Sequence, residues 1–250
     1  MLRGEREIQN FDIEARDGTV GRTGGFLFDD MNWTVRYLVV KTGGWLSGRR
    51  ILISPAAIDE IDAAGGKLRL DLKRQQVENS PDIDVDKPVS RQKEEELHKY
   101  YGWIPYWPMA LPVTHGTTGQ DTLASKEGRG DDIEEREAHK DPDLRGTKEV
   151  RGYHIRARDG EIGHVHDFII DDADWIVRYI VIDTSNWLPG RKVLISPDWI
   201  EELSWEEGRV SVDLTKESIQ DSPEYDSSRP VERDYEKSLY EYYGRPRYWD

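Results

Sequence analysis

The feature that most constrains this chain is an internal repeat. Residues 2–108 align with 144–250 at a constant offset of 142, without a gap, and about 45 of the 107 aligned positions are identical. One block pairs Asp29-Asp30-Met31-Asn32-Trp33-Thr34-Val35-Arg36-Tyr37 with Asp171-Asp172-Ala173-Asp174-Trp175-Ile176-Val177-Arg178-Tyr179. Another pairs Tyr100-Tyr101-Gly102 and Tyr106-Trp107 with Tyr242-Tyr243-Gly244 and Tyr248-Trp249. Two units of this length are too few and too long for a solenoid, and they read as two domains of one fold. Residues 109–143 lie between them. This segment has no aromatic residue and carries 4 basic against 9 acidic groups. It cannot bury enough apolar surface to offset its ordering entropy, so it is expected to be a flexible acidic linker. The expected organisation is therefore 2–108, a linker at 109–143, and 144–250.

Within the second copy, Tyr153 to Ala157 alternates apolar and polar residues, as a half-buried strand does. Asp159-Gly160 is a hairpin signal, and Ile162 to Ile170 follows as a second strand. Trp175 to Thr184 carries apolar residues on both faces and predicts a strand covered on both sides. Lys192 to Ile195 is another strand. Ser196-Pro197 reads as an N-cap followed by proline at the first helical position. Ile200 to Trp205 and Arg209 to Leu214 return to alternation, Thr215 to Gln220 reads as a short helix, and Val231 to Tyr243 reads as a helix ending before Gly244. Five or six short strands in about 65 residues indicate a small antiparallel β-barrel, which leaves no long edge to pair with other chains. The fold class is mainly β: two small barrels in tandem, each followed by a short helix and an aromatic tail.

The 250 residues hold 35 Lys+Arg, 50 Asp+Glu and no Cys. A net charge of −15 argues against broad binding to nucleic acid or anionic lipid. The charge divides unevenly: −2 for residues 1–108, −5 for 109–143 and −8 for 144–250. Absence of Cys removes disulfides, thiol nucleophiles and Cys-type metal sites. No apolar run reaches the roughly 18 residues of a membrane span, and the first ten residues lack a signal-peptide layout. A cytoplasmic protein without an integral membrane segment is expected.

Three constellations stand out. Arg36 lies near Asp29 and Asp30, and Arg178 near Asp171 and Asp172, an arrangement suited to a structural ion pair across a hairpin; an anion-binding arginine is the functional alternative. His164 and His166 are two apart, so on a strand they share a face. They form a two-ligand metal candidate whose third ligand is undefined, with Asp171 or Asp172 as possible help. Trp45, Trp187, Tyr100, Tyr101, Trp107, Tyr242, Tyr243 and Trp249 fill a small core or form an interface, with tail aromatics of one barrel packing on the other. That packing would give either an intramolecular barrel pair or a homodimer. No nucleophile–base–orienter set, phosphate-binding glycine loop or zinc-protease motif can be assembled, so no catalytic residue and no cofactor is assigned.

Asp159-Gly160-Glu161-Ile162-Gly163, Phe168-Ile169-Ile170-Asp171-Asp172, Val177-Arg178-Tyr179-Ile180-Val181-Ile182 and Val193-Leu194-Ile195-Ser196-Pro197, in that order, resemble the PRC-barrel family. So do Asp17-Gly18-Thr19-Val20-Gly21, Val35-Arg36-Tyr37-Leu38-Val39-Val40 and Ile51-Leu52-Ile53-Ser54-Pro55. The family is named for the cytoplasmic barrel of the photosynthetic reaction centre H subunit, and a similar barrel ends a ribosome maturation factor. The Ser-Pro, Tyr-Tyr-Gly and Tyr-Trp elements are similar to those of bacterial tandem PRC-barrel proteins. The resemblance implies docking and structural roles more than a reaction. It points to a non-enzymatic scaffold with an unidentified protein partner. Two alternatives stay open: a quinone- or metal-linked accessory to electron or proton transfer, peripheral to a membrane complex, and a ribosome-assembly factor, which the charge disfavours.

Overall fold

A computed structural model describes residues 1–43, 48–83, 89–107, 144–184 and 191–250. The first copy runs β1 (Leu2–Gly4), a helical turn α1 (Glu5–Ile8), β2 (Asp12–Ala15), β3 (Gly18–Asp29), β4 (Val35–Lys41), β5 (Arg50–Ile53), a 3₁₀ turn at Pro55–Ala57, β6 (Ile58–Asp62), β7 (Lys67–Leu70), α2 (Arg74–Glu78) and α3 (Arg91–Tyr101). The second copy runs β8 (Leu144–Gly146), α4 (Thr147–Val150), β9 (His154–Ala157), β10 (Gly160–Asp171), β11 (Ile176–Asp183), β12 (Lys192–Ile195), a 3₁₀ turn at Pro197–Trp199, β13 (Ile200–Ser204), β14 (Arg209–Val212), α5 (Lys216–Gln220) and α6 (Arg233–Tyr243). Ser54 and Ser196 cap their 3₁₀ turns by accepting from the backbone N–H two residues on, as Ser-Pro at a helix start should.

Each copy forms a seven-stranded sheet. The orders are β5-β4-β3-β2-β7-β6 and β12-β11-β10-β9-β14-β13. The pairing is antiparallel except for β2–β7 and β9–β14, which are parallel. That parallel pair departs from an all-antiparallel barrel. No ladder among the described residues joins the two ends of either path, so each sheet curls without closing. The long β3 and β10 make the curl possible, because bulges interrupt their registers. At Gly163 (φ 144°) the strand runs so close to the Asp183 carbonyl that a Cβ has no room.

The seventh strand of each sheet comes from the other copy. Leu2-Arg3-Gly4 pairs with Asp171-Ile170-Ile169 of β10, and Leu144-Arg145-Gly146 pairs with Asp29-Phe28-Leu27 of β3. The chain repeat is thus closed by a reciprocal strand exchange. In space, residues 2–4 belong with the second copy and 144–146 with the first. Ile8 and Val150, one turn after the exchanged strands, are fully buried in one apolar cluster that spans both copies.

The β3–β4 and β10–β11 turns meet at the centre. Trp33 and Trp175 have φ of 55° and 59°, a left-handed conformation that bulky side chains rarely adopt. Val35 N–H donates to the Trp175 carbonyl at 2.7 Å, and Val177 N–H donates to the Trp33 carbonyl at 2.8 Å. Trp33 stacks on Phe28 at 5.0 Å, and Phe28 contacts Phe168 at 5.9 Å. The alternation predicts Trp175 as the first residue of its strand; the strand begins at Ile176, and Trp175 is a turn residue held by the opposite copy.

Among the described residues no helix is long and apolar enough to cross a membrane. Replacing Ile8 with Ala should cost about 2–5 kcal/mol in urea unfolding, the range for emptying a buried aliphatic site. Because Ile8 packs in the shared cluster, amide protection should fall in both sheets rather than in the first alone, which hydrogen exchange would resolve.

Candidate functional site

The paired aspartates at the end of β3 and β10 divide their work. Asp29, with no exposed surface, takes the Arg36 guanidinium at 2.6 and 2.7 Å, and also accepts from Asn32 N–H at 2.6 Å. Asp30 faces Arg145 of the exchanged strand at 3.9 Å. In the second copy Arg178 pairs with Asp174 and lies 3.9 Å from Asp171, while Asp172 takes Arg3 of the exchanged strand at 2.7 Å. In the first copy Asp29 thus holds its own hairpin and Asp30 faces the other copy's strand, while in the second copy Asp171 also takes the Met1 amino group at 3.1 Å beside Asp172. Nearby, Arg151 pairs with Glu5, a fully buried carboxylate crossing the same boundary.

Tyr106 lies over Arg36 at 3.9 Å and Tyr248 over Arg178 at 4.2 Å. Trp107 and Trp249 lie against Arg91 and Arg233 at 4.4 and 4.1 Å. Each tail therefore folds back on its own barrel, not on its neighbour as the exchange of aromatics predicts; the arginines that attract these rings by cation–π contact belong to the same copy. Tyr100 and Tyr242 remain about two-fifths exposed and donate to the Gln76 and Ser218 carbonyls at 2.9 and 3.0 Å. Tyr101 and Tyr243 are partly buried beside them. Trp45 and Trp187 lie outside the described residues.

Under each tail sits a buried glutamate that the sequence reading did not single out. Glu94 accepts from Tyr37 at 3.0 Å, Tyr106 at 2.6 Å and Arg91 at 2.8 Å. Glu236 accepts from Tyr179 at 2.8 Å, Tyr248 at 2.9 Å and Arg233 at 3.0 Å. Burial, reinforced by the glutamate, pushes the Tyr248 hydroxyl up to about 12 and the Tyr37 and Tyr179 hydroxyls higher still. Arg-x-x-Glu ahead of Leu, Tyr-Tyr-Gly and Tyr-Trp recurs in both copies and was the available signal.

The exchange also creates two clefts related by the repeat, each of about 600 Å³. One lies between β3–β5 and the exchanged β8–α4, the other between β10, β12 and the exchanged β1–α1. At the second cleft His164, His166 and Asp183 bring three ligand atoms within 4.8 Å of one another. The third member is Asp183 of β11, not Asp171 or Asp172, because the strand register sets His164 opposite Asp183. His166 Nε2 accepts from Arg6 at 3.1 Å. Burial, with Lys192 and Arg6 beside it, holds His166 down to about 4. Neutral imidazole is the form that ligates a metal, while Arg6 competes for its lone pair.

A third region distinguishes the copies. Ile104 is 91% exposed at the mouth of a groove of about 440 Å³, lined by Pro55, Ala56, Ile58, Tyr106 and Trp175. The equivalent groove of the other copy is about 210 Å³, and Pro246 stands where Ile104 does.

Glu236→Ala leaves two tyrosine hydroxyls and Arg233 without their shared acceptor and should cost about 3 kcal/mol or more by urea unfolding, against about 1 kcal/mol for Tyr179→Phe. His166 has a folded pKa below its unfolded value. Its contribution to stability is complete above about pH 6.5 and is lost as pH falls towards 4. Melting curves of wild type and His166→Gln should therefore converge as pH falls across that window, and a constant offset would contradict the assignment.

Residues 142–219 match the family model described as PRC-barrel domain. No curated protein matches the chain. The matched segment runs from just before β8 into α5, and β1 to α2 repeat it element for element. That match supports a PRC-barrel assignment for residues 142–219, whose elements the first copy repeats.

Proposed function

We propose that this protein is a non-enzymatic scaffold that docks a partner protein on the face of its first barrel. The carrying observation is Ile104, an almost fully exposed aliphatic side chain beside a groove of mixed polar and apolar lining that is wider than its counterpart in the other copy. A buried isoleucine contributes roughly 1.5–3 kcal/mol, and exposed apolar patches on an otherwise charged surface mark interaction sites. Pro55, Ala56, Ile58 and Trp175 line the groove together with polar Thr34, Arg36 and Asp174, which suits a partner segment with an apolar anchor and polar flanks. The fused, doubly braced architecture supports the same reading, because a rigid platform avoids ordering costs on binding.

A photo-crosslinking residue placed at position 104 of the full chain, in its native cells, should give a defined protein adduct. The same residue at 246 should not. Ile104→Asp should abolish binding of the adducted protein, supplied in purified form, without shifting the melting temperature. Equal labelling at both positions would refute the assignment.

The cluster His164, His166 and Asp183 supports a second reading, a metal-linked accessory to electron or proton transfer. It requires stoichiometric Zn²⁺ binding by calorimetry that is lost in the His164→Ala/His166→Ala double variant. Absence of heat at millimolar Zn²⁺ would remove it.

A further inference from the structure

The two clefts are built from matched elements but differ in how their charges are satisfied. In the second, Arg6 of α1 donates its backbone N–H to Asp167 at 3.2 Å and its guanidinium to His166. Asp183 lies 3.9 Å from His166. In the first, the offset puts Lys148 in place of Arg6, Gly25 in place of Asp167, Gly24 in place of His166 and Lys41 in place of Asp183. Asp167, His166 and Asp183 have no acceptor in their places, Lys41 adds a cation, and Glu7 alone is kept, as Glu149.

The glycines are spatially necessary. A Cβ on Gly24 would come within 2.9 Å of the Val39 carbonyl and 3.1 Å of Lys41 Cγ, and one on Gly25 within 3.2 Å of Thr147 Oγ1 and 3.4 Å of Lys148 Cε. Both lysine stems therefore pass beside the two glycines of β3. Lys41 and Lys148 both line this cleft, and Lys41 stands close enough to Lys148 to disfavour its charge. Burial, Lys41 and the Arg50 charge together hold Lys148 down to about 8. Among the described residues no carboxylate pairs with Lys41 or Lys148. Glu149, the next residue, lies instead 4.0 Å from Arg145. This happens in a chain with 50 acidic and 35 basic residues.

We infer that the cleft formed by β3, β4, β5, β8 and α4 is a binding site for an organic phosphate monoester with an apolar body. Lys41 and Lys148 would hold the phosphate, and Phe26, Leu27, Val39 and Leu144 would receive the body. The phosphate's near-dianionic charge matches two lysines that line one cleft, and Lys binds phosphate as a point charge. A volume of about 600 Å³ lies within the usual range for small-molecule sites. The divergence of the two clefts supplies the selectivity, since the second presents carboxylates to the same position.

Calorimetry on the full chain at low ionic strength tests this with phenyl phosphate and inorganic phosphate as probes. Phenyl phosphate should bind once per chain and more tightly than inorganic phosphate. Lys148→Gln and Lys41→Asp should each weaken it at least about tenfold, the loss expected for a charge-assisted contact. Lys192→Gln, in the other cleft, should leave it unchanged. In NMR spectra with ε-¹³C-labelled lysine, phenyl phosphate should raise the titration midpoint of Lys148. Absence of binding at millimolar phenyl phosphate would overturn the site, as would unchanged affinity in both lysine variants when their melting temperatures match wild type. Equal affinity for the two probes would overturn the apolar body.

Discussion

Everything in this structure depends on the reciprocal bond between two turns. Trp33 and Trp175 each adopt a left-handed backbone that costs of order 1–3 kcal/mol for such residues. The cost is offset within each turn, where each tryptophan N–H donates to its own copy's aspartate carbonyl, and across the boundary, where each tryptophan carbonyl accepts an N–H from the opposite copy. Neither turn has that partner in an isolated copy. The exchanged strands β1 and β8 then fix the same boundary from the outside, with Arg3–Asp172 and Glu5–Arg151 pinning their ends. Small barrels of about 65 residues bury only about 60% of their unfolded surface, and fusing two cores is a direct remedy.

Fusion also explains how the copies could diverge. The element that covers each sheet's bulged strand is supplied by the other half of the chain. α1 covers β10, and α4 covers β3. A substitution in one half therefore changes a cleft in the other. Lys148 and Gly25 lie in different copies yet face each other, as do Arg6 and Asp167. The buried Glu94 and Glu236 networks, by contrast, lie wholly inside their own copies and have stayed alike. At the boundary the exchanged strands and the tryptophan turns are alike in both copies, and it is the cleft linings that differ.

The sequence shows much of this and hides the rest for identifiable reasons. The strands, the Ser-Pro caps and the α6 stop at Gly244 are legible because they depend on local alternation and backbone preference. The exchange is not legible, because Leu2-Arg3-Gly4 and Leu144-Arg145-Gly146 are identical triplets. Pairing within a copy and pairing between copies satisfy the same pattern, and only the three-dimensional path separates them. Trp175 misleads for a related reason: its β-propensity is high, and the partner that forces it into a turn is 142 residues away. Glu236 is one of 50 acidic residues, and nothing in its neighbours announces burial except the repetition of the whole Arg-x-x-Glu frame. The Asp183 of the histidine cluster depends on strand register, which a bulge shifts in a way that alternation does not reveal.

The location of the cationic cleft ties ligand chemistry to architecture. Lys41 belongs to the first half of the chain and Lys148 to the second. They line one cleft only when β8 and α4 sit on the first sheet. In that arrangement the two charges repel, so the unliganded cleft works against the exchange that the tryptophan turns favour. A bound dianion reverses that sign, turning a repulsive contact into a bridge between the halves. Because it would bind only the exchanged arrangement, its affinity would add to the stability of that arrangement by mass action. The same logic does not hold at the second cleft, where Asp167 and His166 already satisfy Arg6 without any ligand. One boundary of the protein is therefore self-sufficient, and the other is completed by what it binds.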